Sequence, residues 1–373
     1  LILDEAQTLP VELLAPCLAV LRELAADYRC SVVLCTATQP AVTRREGFPI
    51  GLDGVREIVP DPPALYESMR RVRIESVGTL TDDDLVSRLS EHDRFLCVVN
   101  TRPHAGRLFD RLRETADDDG LFHLSTFMCA EHRSQVLREV RRRLKEGRPC
   151  KVVSTQLIEA GVDVDFPVVY RALAGLDSVA QAAGRCNREG RLPGPGVVYL
   201  FRPEGRLPRG LLGATARTTE ELLALGGFDD LLGLDAVRCY FELHYWKQKS
   251  KWDANGILEQ FATPQMLQFR TAAERFRFIE DGSRPVIVPW GEEGRRLVEA
   301  VRGYQFPDRH IRRRLQRYLV PIPEPAFDAM LGSDLESHHE GAFTVLLNED
   351  LYDDRLGLRL DRAGQHDPES LVV

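Results

Sequence analysis

Apolar and polar positions along this chain follow two rhythms, and the switches between them mark its elements. Short apolar runs closed by polar residues or glycine lie at 1–3, 31–35, 95–99, 121–125, 151–154, 166–173 and 197–201, all of strand length. Residues 72–77 alternate as a half-buried strand does. Between these runs, spacings of three and four predict helices. One covers 9–28, with Leu13, Leu14, Leu18, Leu21 and Leu24 on one face; others cover 82–91, begun by Thr81, then 103–115, 130–146 and 177–188. Strands alternating with helices of this length predict α/β architecture with parallel sheets and right-handed crossovers. Residues 47–63, rich in Gly, Pro and Asp, read as a surface loop and interdomain crossing.

Past residue 205 the alternation stops. Residues 206–283 read as connecting helices, one at 234–249. A mixed pattern follows: strand 285–289, helix 292–301, an arginine-rich helix 309–318, strand 319–322 and a tail over 335–360.

Ligands of open α/β sheets gather at the carboxyl ends of strands, and polar residues of this chain concentrate there. Asp4 and Glu5 follow the first strand, where one carboxylate can hold Mg²⁺ and its neighbour can polarise a water. Gln7 comes next, and the hydroxyls of Thr36 and Thr38 follow the second strand. Asn100, Thr101 and Arg102 close the run 95–99; Thr155, Gln156, Glu159, Gly161 and Asp163 close 151–154. Such hydroxyls, amides and backbone N–H groups grip phosphates without reading bases. Gln181, Arg185 and Arg188 recur at helical spacing, so the pattern predicts one shared face. Two guanidinium forks suit a γ-phosphoryl transition state.

At these residues a resemblance becomes specific. STQLIEAGVD (154–163) is similar to motif V of superfamily 2 nucleic-acid helicases, and QAAGRCNREG (181–190) to motif VI. DEAQ (4–7) resembles the Walker B box, Thr36-Ala37-Thr38 motif III, and VVNTRPHA (98–105) the motif IV region. FRTAAERFRFIED (269–281), PVIVP (285–289) and YDDRLGL (352–358) resemble the C-terminal region of the helicase-nuclease of type I CRISPR-Cas systems. The resemblance implies the end of a first RecA-like lobe at 1–63, a complete second lobe at 64–205, a helical connector at 206–283 and a mixed α/β accessory domain at 284–373.

It also implies roles. ATP with Mg²⁺ would lie at Asp4 and Glu5, faced by Arg185 and Arg188 across a cleft between lobes, with Gln7, Gly161, Asp163 and Gln181 around the nucleotide. Single-stranded DNA would lie on Thr155, Gln156, Asn100, Thr101 and Arg102, coupled to the nucleotide through Thr36 and Thr38. An RNA-guided CRISPR surveillance complex would be the partner. No G-x-x-x-x-G-K-[ST] loop occurs among the 373 residues, which contain five lysines. The expectation is a fragment that begins at motif II and by itself neither hydrolyses ATP nor cuts DNA, with the nuclease metal held elsewhere. The core motifs also admit an RNA helicase or a restriction-type translocase, and a different class, a non-catalytic nucleic-acid-binding or scaffold module, stays open.

Composition adds limits. No apolar run approaches the roughly 20 residues of a membrane helix, and the expectation is a cytoplasmic protein with no membrane partner. Eight cysteines without C-x-x-C spacing fit reduced thiols. A net charge of −8 argues against nonspecific coating of DNA, though not against a local cationic channel. The basic helix 130–146 reads equally as a DNA contact or as a face paired with Glu131, Glu139 and Glu146. HYWKQKSKW (244–252) reads as a stacking surface or, more simply, as a helix end and turn. The dipeptides His92-Asp93 and His366-Asp367 lack neighbours that would complete a metal site, and His338-His339 points to opposite faces of a predicted strand, so one ion does not easily take both.

Overall fold

The computed structural model describes residues 1–363 apart from 37, 40, 116–118, 206, 209, 264–265, 279–281 and 304, so His366-Asp367 lies outside the described residues. Along the chain come β1 (Ile2–Asp4), α1 (Leu14–Ala26), β2 (Val33–Cys35), α2 (Pro62–Met69), β3 (Val72–Leu80), α3 (Asp82–Ser90) and β4 (Arg94–Val98). Next are α4 (Arg102–Thr115), β5 (Leu121–Leu124), α5 (Ala130–Glu146), β6 (Cys150–Ser154), β7 (Val168–Ala172), α6 (Leu176–Ala183) and β8 (Gly196–Pro203). Then follow α7 (Gly210–Leu225), α8 (Leu234–Lys247), α9 (Phe269–Arg275), β9 (Ser283–Ile287), α10 (Gly291–Arg302), α11 (Arg309–Leu315) and β10 (Leu319–Pro323). The last are α12 (Glu324–Met330), β11 (Leu335–His338), β12 (Phe343–Leu346), β13 (Tyr352–Asp353) and β14 (Gly357–Leu358).

Two compact units divide these elements. Unit 1 comprises Leu1–Gly78 and Leu173–Glu280, and unit 2 comprises Thr79–Ala172 and Asp281–Val373. In unit 1, β1 pairs in parallel with β2, Ile2 opposite Val33 and Asp4 opposite Cys35. The sequence pattern predicted a buried strand here, yet Ile2 is 70% exposed. Among the described residues β2 is the partner of β1, and a two-stranded ribbon leaves its apolar side chains uncovered. Helix α1 starts at Leu14 rather than at 9, because Pro10 is extended and Pro16, lacking an N–H, is tolerated only in a first turn.

The core of unit 1 gathers Leu14, Leu18 and Leu21 of α1 with Phe48, Leu176, Val179, Tyr240, Tyr245 and Trp252. Phe48 stacks on Tyr245 at 5.4 Å and meets Trp252 edge-on at 5.0 Å. Tyr245 and Trp252 are therefore core residues, and Lys247 is ion-paired to Glu221. The stretch 244–252 is a helix end and turn whose aromatics, apart from exposed Trp246, face inward.

Unit 2 holds parallel strands in the order β7, β4, β6, β5, with Arg94 opposite Cys150, Leu96 opposite Val169 and Leu121 opposite Lys151. The run Phe95–Val99 is buried throughout, as strands covered by helices on both faces require. Helix α3 is begun by a capping box: Thr81 accepts from the Asp84 N–H and the Asp84 carboxylate accepts from the Thr81 N–H. Arg142 and Arg143 of α5 both pair with Glu139, Arg142 also with Glu146, and Arg143 with Asp119. These hydrogen bonds, that of Arg142 first, hold the Glu139 carboxyl down to about 2. The basic helix is thus a largely neutralised surface face.

A mixed sheet in the order β10, β9, β12, β11 builds the second core of unit 2, centred on Val286, Val288, Val320, Ile322, Phe327 and Val345. The β13–β14 hairpin ties this layer to the end of β5. The Tyr352 hydroxyl accepts from the Cys129 N–H at 2.9 Å and lies 3.1 Å from His132 Nδ1, while the Leu358 N–H donates to the Phe127 carbonyl at 2.9 Å. Gly357, at φ +77°, permits this approach: a Cβ there would sit 2.4 Å from the Phe127 oxygen. The α/β class, with a RecA-like parallel sheet and a mixed C-terminal sheet, is what the structure shows.

Candidate nucleotide and nucleic-acid sites

The turn after β1 puts two carboxylates on the surface. Glu5 takes the left-handed conformation, φ 53° and ψ 46°, a backbone cost of roughly 1–2 kcal/mol for a residue with a Cβ. Strain of this kind concentrates at functional sites. The Asp4 carboxylate accepts from the Glu5 N–H at 3.1 Å, and the Glu5 carboxylate accepts from buried Gln7. Gln7 in turn accepts from the Thr36 hydroxyl, whose oxygen accepts from the Thr38 N–H at 3.1 Å. Gln7, expected beside the nucleotide, joins the DEAQ turn to the threonine pair. Gln181 of α6 reaches Glu5 Oε2 at 3.5 Å, the long limit of a hydrogen bond, so the two segments are adjacent within unit 1.

Arg185 and Arg188 do not extend the face of Gln181. Helix α6 ends at Ala183 with Gly184 as its cap, and Asn187 is left-handed at φ 44°. The buried Asn187 carboxamide donates to the Arg71 carbonyl (3.1 Å) and the Gly194 carbonyl (3.2 Å) and accepts from the Leu192 N–H (3.1 Å). These bonds supply the turn with partners a helix would have withdrawn. Both arginines are therefore displayed from a pinned loop, Arg185 buried and Arg188 exposed, with the Arg188 carbonyl accepting from Arg71.

The remaining candidates lie in unit 2. Thr101 Oγ1 accepts from the His104 N–H at 3.3 Å and opens α4. The Arg102 guanidinium lies 4.1 Å from the Phe127 ring centroid, the same Phe127 that the C-terminal hairpin grips. Thr155 is buried and its N–H donates to the Leu124 carbonyl at 3.1 Å; Gln156 donates to the Asn100 carbonyl at 3.2 Å. Gly161 is left-handed at φ +67° in an exposed loop, and the Asp163 carbonyl accepts from Arg141 at 3.0 Å.

Arg171 and Glu159 form a buried ion pair that the pattern of apolar runs concealed. Arg171 Nε lies 2.9 Å from Glu159 Oε1, with the side chains 0% and 5% exposed. The same guanidinium donates to Asn100 Oδ1 at 2.7 Å and to the Ala172 carbonyl at 2.8 Å. The ends of β4, β6 and β7 are thereby locked to one another, and the Asn100 side chain is committed inside. A legible signal did exist: an arginine in an otherwise apolar strand, Val168–Ala172, demands a carboxylate.

A family model for the C-terminal region of the CRISPR-associated nuclease/helicase Cas3 matches residues 91–191, which hold the Asn100, Thr155 and Arg185 segments. A CRISPR-associated nuclease/helicase Cas3 of Methanothermobacter thermautotrophicus is 30% identical over 204 residues, 50% of this chain and 24% of that protein. A crystal structure of T. fusca Cas3 with ATP matches with a TM-score of 0.63 at 16% identity, covering 96% of this chain and 53% of that one. These matches support a Cas3 helicase-type chain. A chain of a pre-nicking CRISPR RNA-guided surveillance complex matches with a TM-score of 0.59 at 16% identity, over 96% of this chain and 56% of that one. At such identities the solved structures bear on the fold. The chain spans about a quarter of the length of this curated relative and about half that of the structures. Among the described residues no cluster of three or more His, Cys, Asp or Glu could hold a metal, and no helix is long and apolar enough to cross a membrane.

Proposed function

We propose that this chain is the motor portion of an ATP-dependent translocase on single-stranded DNA, working in CRISPR interference with a metal-dependent nuclease and recruited by an RNA-guided surveillance complex. The observation that carries the reading is the approach of Gln181 to Glu5, which brings the helix preceding the arginine loop to the strained acidic turn. It is supported by the Cas3 likeness, including a neighbour solved with ATP and another from a surveillance complex. The division into lobes, connector and accessory domain at 63, 205 and 283 belongs to the same proposal.

Asp4 and Glu5 offer hard carboxylate oxygens on an exposed turn, the donors that Mg²⁺ prefers. Mg²⁺ bound with ATP would neutralise phosphate charge there. Of the chain's own groups, Asp4 would hold the ion, Glu5 would orient the attacking water, and Arg185 and Arg188 would take the β- and γ-phosphate charge, with Gln181 bonded to Glu5. Gly161 and Asp163 are assigned to the nucleotide. Thr155, Gln156, Thr101, Arg102 and the backbone of Asn100 are assigned to DNA phosphates, and the Gln7–Thr36–Thr38 chain to coupling.

Phosphate release with and without single-stranded DNA tests this, on the 373-residue chain and on a longer chain carrying the G-x-x-x-x-G-K-[ST] loop. The longer chain turns over and Arg188→Ala lowers its rate on the order of 10³-fold or more, with strand binding kept. Robust turnover by the 373 residues alone, or a variant that loses only DNA binding, refutes the assignment.

A further inference from the structure

Away from every residue assigned above, three separate segments of unit 2 bring aromatic rings together at the surface. Phe306 follows α10, His339 lies in the turn between β11 and β12, and Phe343 begins β12. Their ring centroids are 5.4 Å apart for Phe306–His339, 5.4 Å for Phe306–Phe343 and 5.8 Å for His339–Phe343. Phe306 nevertheless remains 55% exposed, so the cluster supports its ring without covering it.

The turn that delivers His339 is costly. His339, Glu340 and Gly341 are consecutively left-handed, at φ 51°, 56° and 89°, and the first two carry a Cβ. What holds His339 is the bond from its Nε2 to the Val301 carbonyl at 2.8 Å; a carbonyl only accepts, so Nε2 carries the proton. Strain persists where the surroundings over-determine it, and here it fixes a ring beneath an exposed one.

Helix α11 adds charge beside the same ring. Asp308 caps the helix by accepting from the Ile311 N–H at 2.8 Å. Arg309, Arg312 and Arg313, at i, i+3 and i+4, share one exposed face, and the Arg312 guanidinium lies 5.6 Å from the Phe306 centroid. Their neighbours are spoken for: Arg314 pairs with Glu293 and Arg317 with Glu131. Arg309 and Arg313 make no ion pair with a described residue. Asp308 is committed to its cap, and Glu336, on β11, is paired with Arg302 at 3.5 Å. A cationic face in a chain of net charge −8 is a local feature, not a reflection of composition.

We propose that the Phe306–His339–Phe343 cluster and the Arg309/Arg312/Arg313 face of α11 form a second binding site for single-stranded nucleic acid, with a base stacked on Phe306 and flanking phosphates on Arg309 and Arg313. An exposed ring beside unpaired guanidinium groups is the combination that binds single strands without reading sequence. An acidic peptide would engage the arginines and leave the ring idle. The proposal shares its ligand class with the motor reading, but its test uses neither ATP nor a partner complex.

Fluorescence anisotropy compares a labelled oligodeoxythymidine with an abasic strand of equal length, which keeps the phosphates and removes the bases. Phe306→Ala weakens the thymidine strand about tenfold or more and leaves the abasic strand within about twofold, while Phe306→Trp restores binding. Arg309→Ala with Arg313→Ala weakens both strands and reduces the slope of log K against log salt by roughly 1.4, two phosphate contacts on a single strand. Unchanged thymidine binding in Phe306→Ala, an equal loss on both strands, or an unchanged salt slope in the arginine pair overturns the site. If the motor reading alone fails, the Phe306 dependence survives while the effect of Arg188→Ala on phosphate release does not appear; if this site alone fails, the reverse is seen.

Discussion

The polar cluster after β1 in unit 1 and the one after β4 and β6 in unit 2 both sit at strand ends, yet they are built on opposite terms. The first is open: Asp4 and Glu5 are exposed, Glu5 is held in a strained conformation, and the contact from Gln181 is long at 3.5 Å. The second is closed: Arg171 and Glu159 are buried against each other at 2.9 Å, and Arg171 also satisfies Asn100. An open cluster keeps its hydrogen-bonding capacity for a ligand and contributes little to folding. A closed one has spent that capacity on the fold, since a buried charge that loses its partner cannot be rehydrated. The difference separates residues with hydrogen-bonding capacity left for a ligand from residues whose capacity is spent on the fold.

The largest effect comes from opening the closed cluster. Arg171→Leu removes the counter-charge that lies 2.9 Å from buried Glu159 and lowers stability by about 3–5 kcal/mol, while adding Glu159→Leu recovers most of the loss. Urea unfolding measures both, and a cost below about 1 kcal/mol for the single variant erases the distinction. Next comes acid. His132 is stacked on Trp290 at 4.4 Å, and burial holds its imidazole down to about 4 from an ordinary 6.5. Between those values the unfolded chain binds a proton that the folded chain refuses. Stability contributed by neutral His132 is therefore full above about 6.5 and falls as pH drops toward 4, by on the order of 3 kcal/mol in all. The stability of a His132→Gln variant should depend less on pH across that window; an unchanged profile rules out buried His132 as the source of the acid sensitivity. The smallest effect belongs to the open cluster. Glu5→Gly relieves the left-handed backbone and leaves stability within about 1 kcal/mol of the parent, on the favourable side, while abolishing turnover in an ATPase-competent chain. Marked destabilisation would place Glu5 among the structural residues instead.

Much of the second unit was legible from local signals. Thr81 announced α3, α5 runs over the predicted 130–146, and the buried run 95–99 was a parallel strand by its unbroken apolar character. What escaped depended on partners distant in sequence. Arg185 and Arg188 have helical spacing, but Asn187 spends its carboxamide on the backbone of residues 71, 192 and 194, and that competition ends the helix. Arg171 lay inside an apolar run and was read with it; its partner sits twelve positions earlier across a loop. The Glu5 backbone conformation has no sequence signature, because left-handed glutamate is a consequence of tertiary context. Phe306, His339 and Phe343 meet only through the mixed sheet, where single-residue reading treats each as ordinary surface.

The hydrogen bond from the Cys129 amide to the Tyr352 hydroxyl joins positions 223 residues apart. During synthesis, then, the parallel layer of unit 2 emerges long before the segment that completes it. Until that hairpin arrives, the Phe127 carbonyl and the Cys129 amide must be satisfied by water, so the half-made unit waits in a looser state whose closure is paced by the ribosome rather than by its own chemistry.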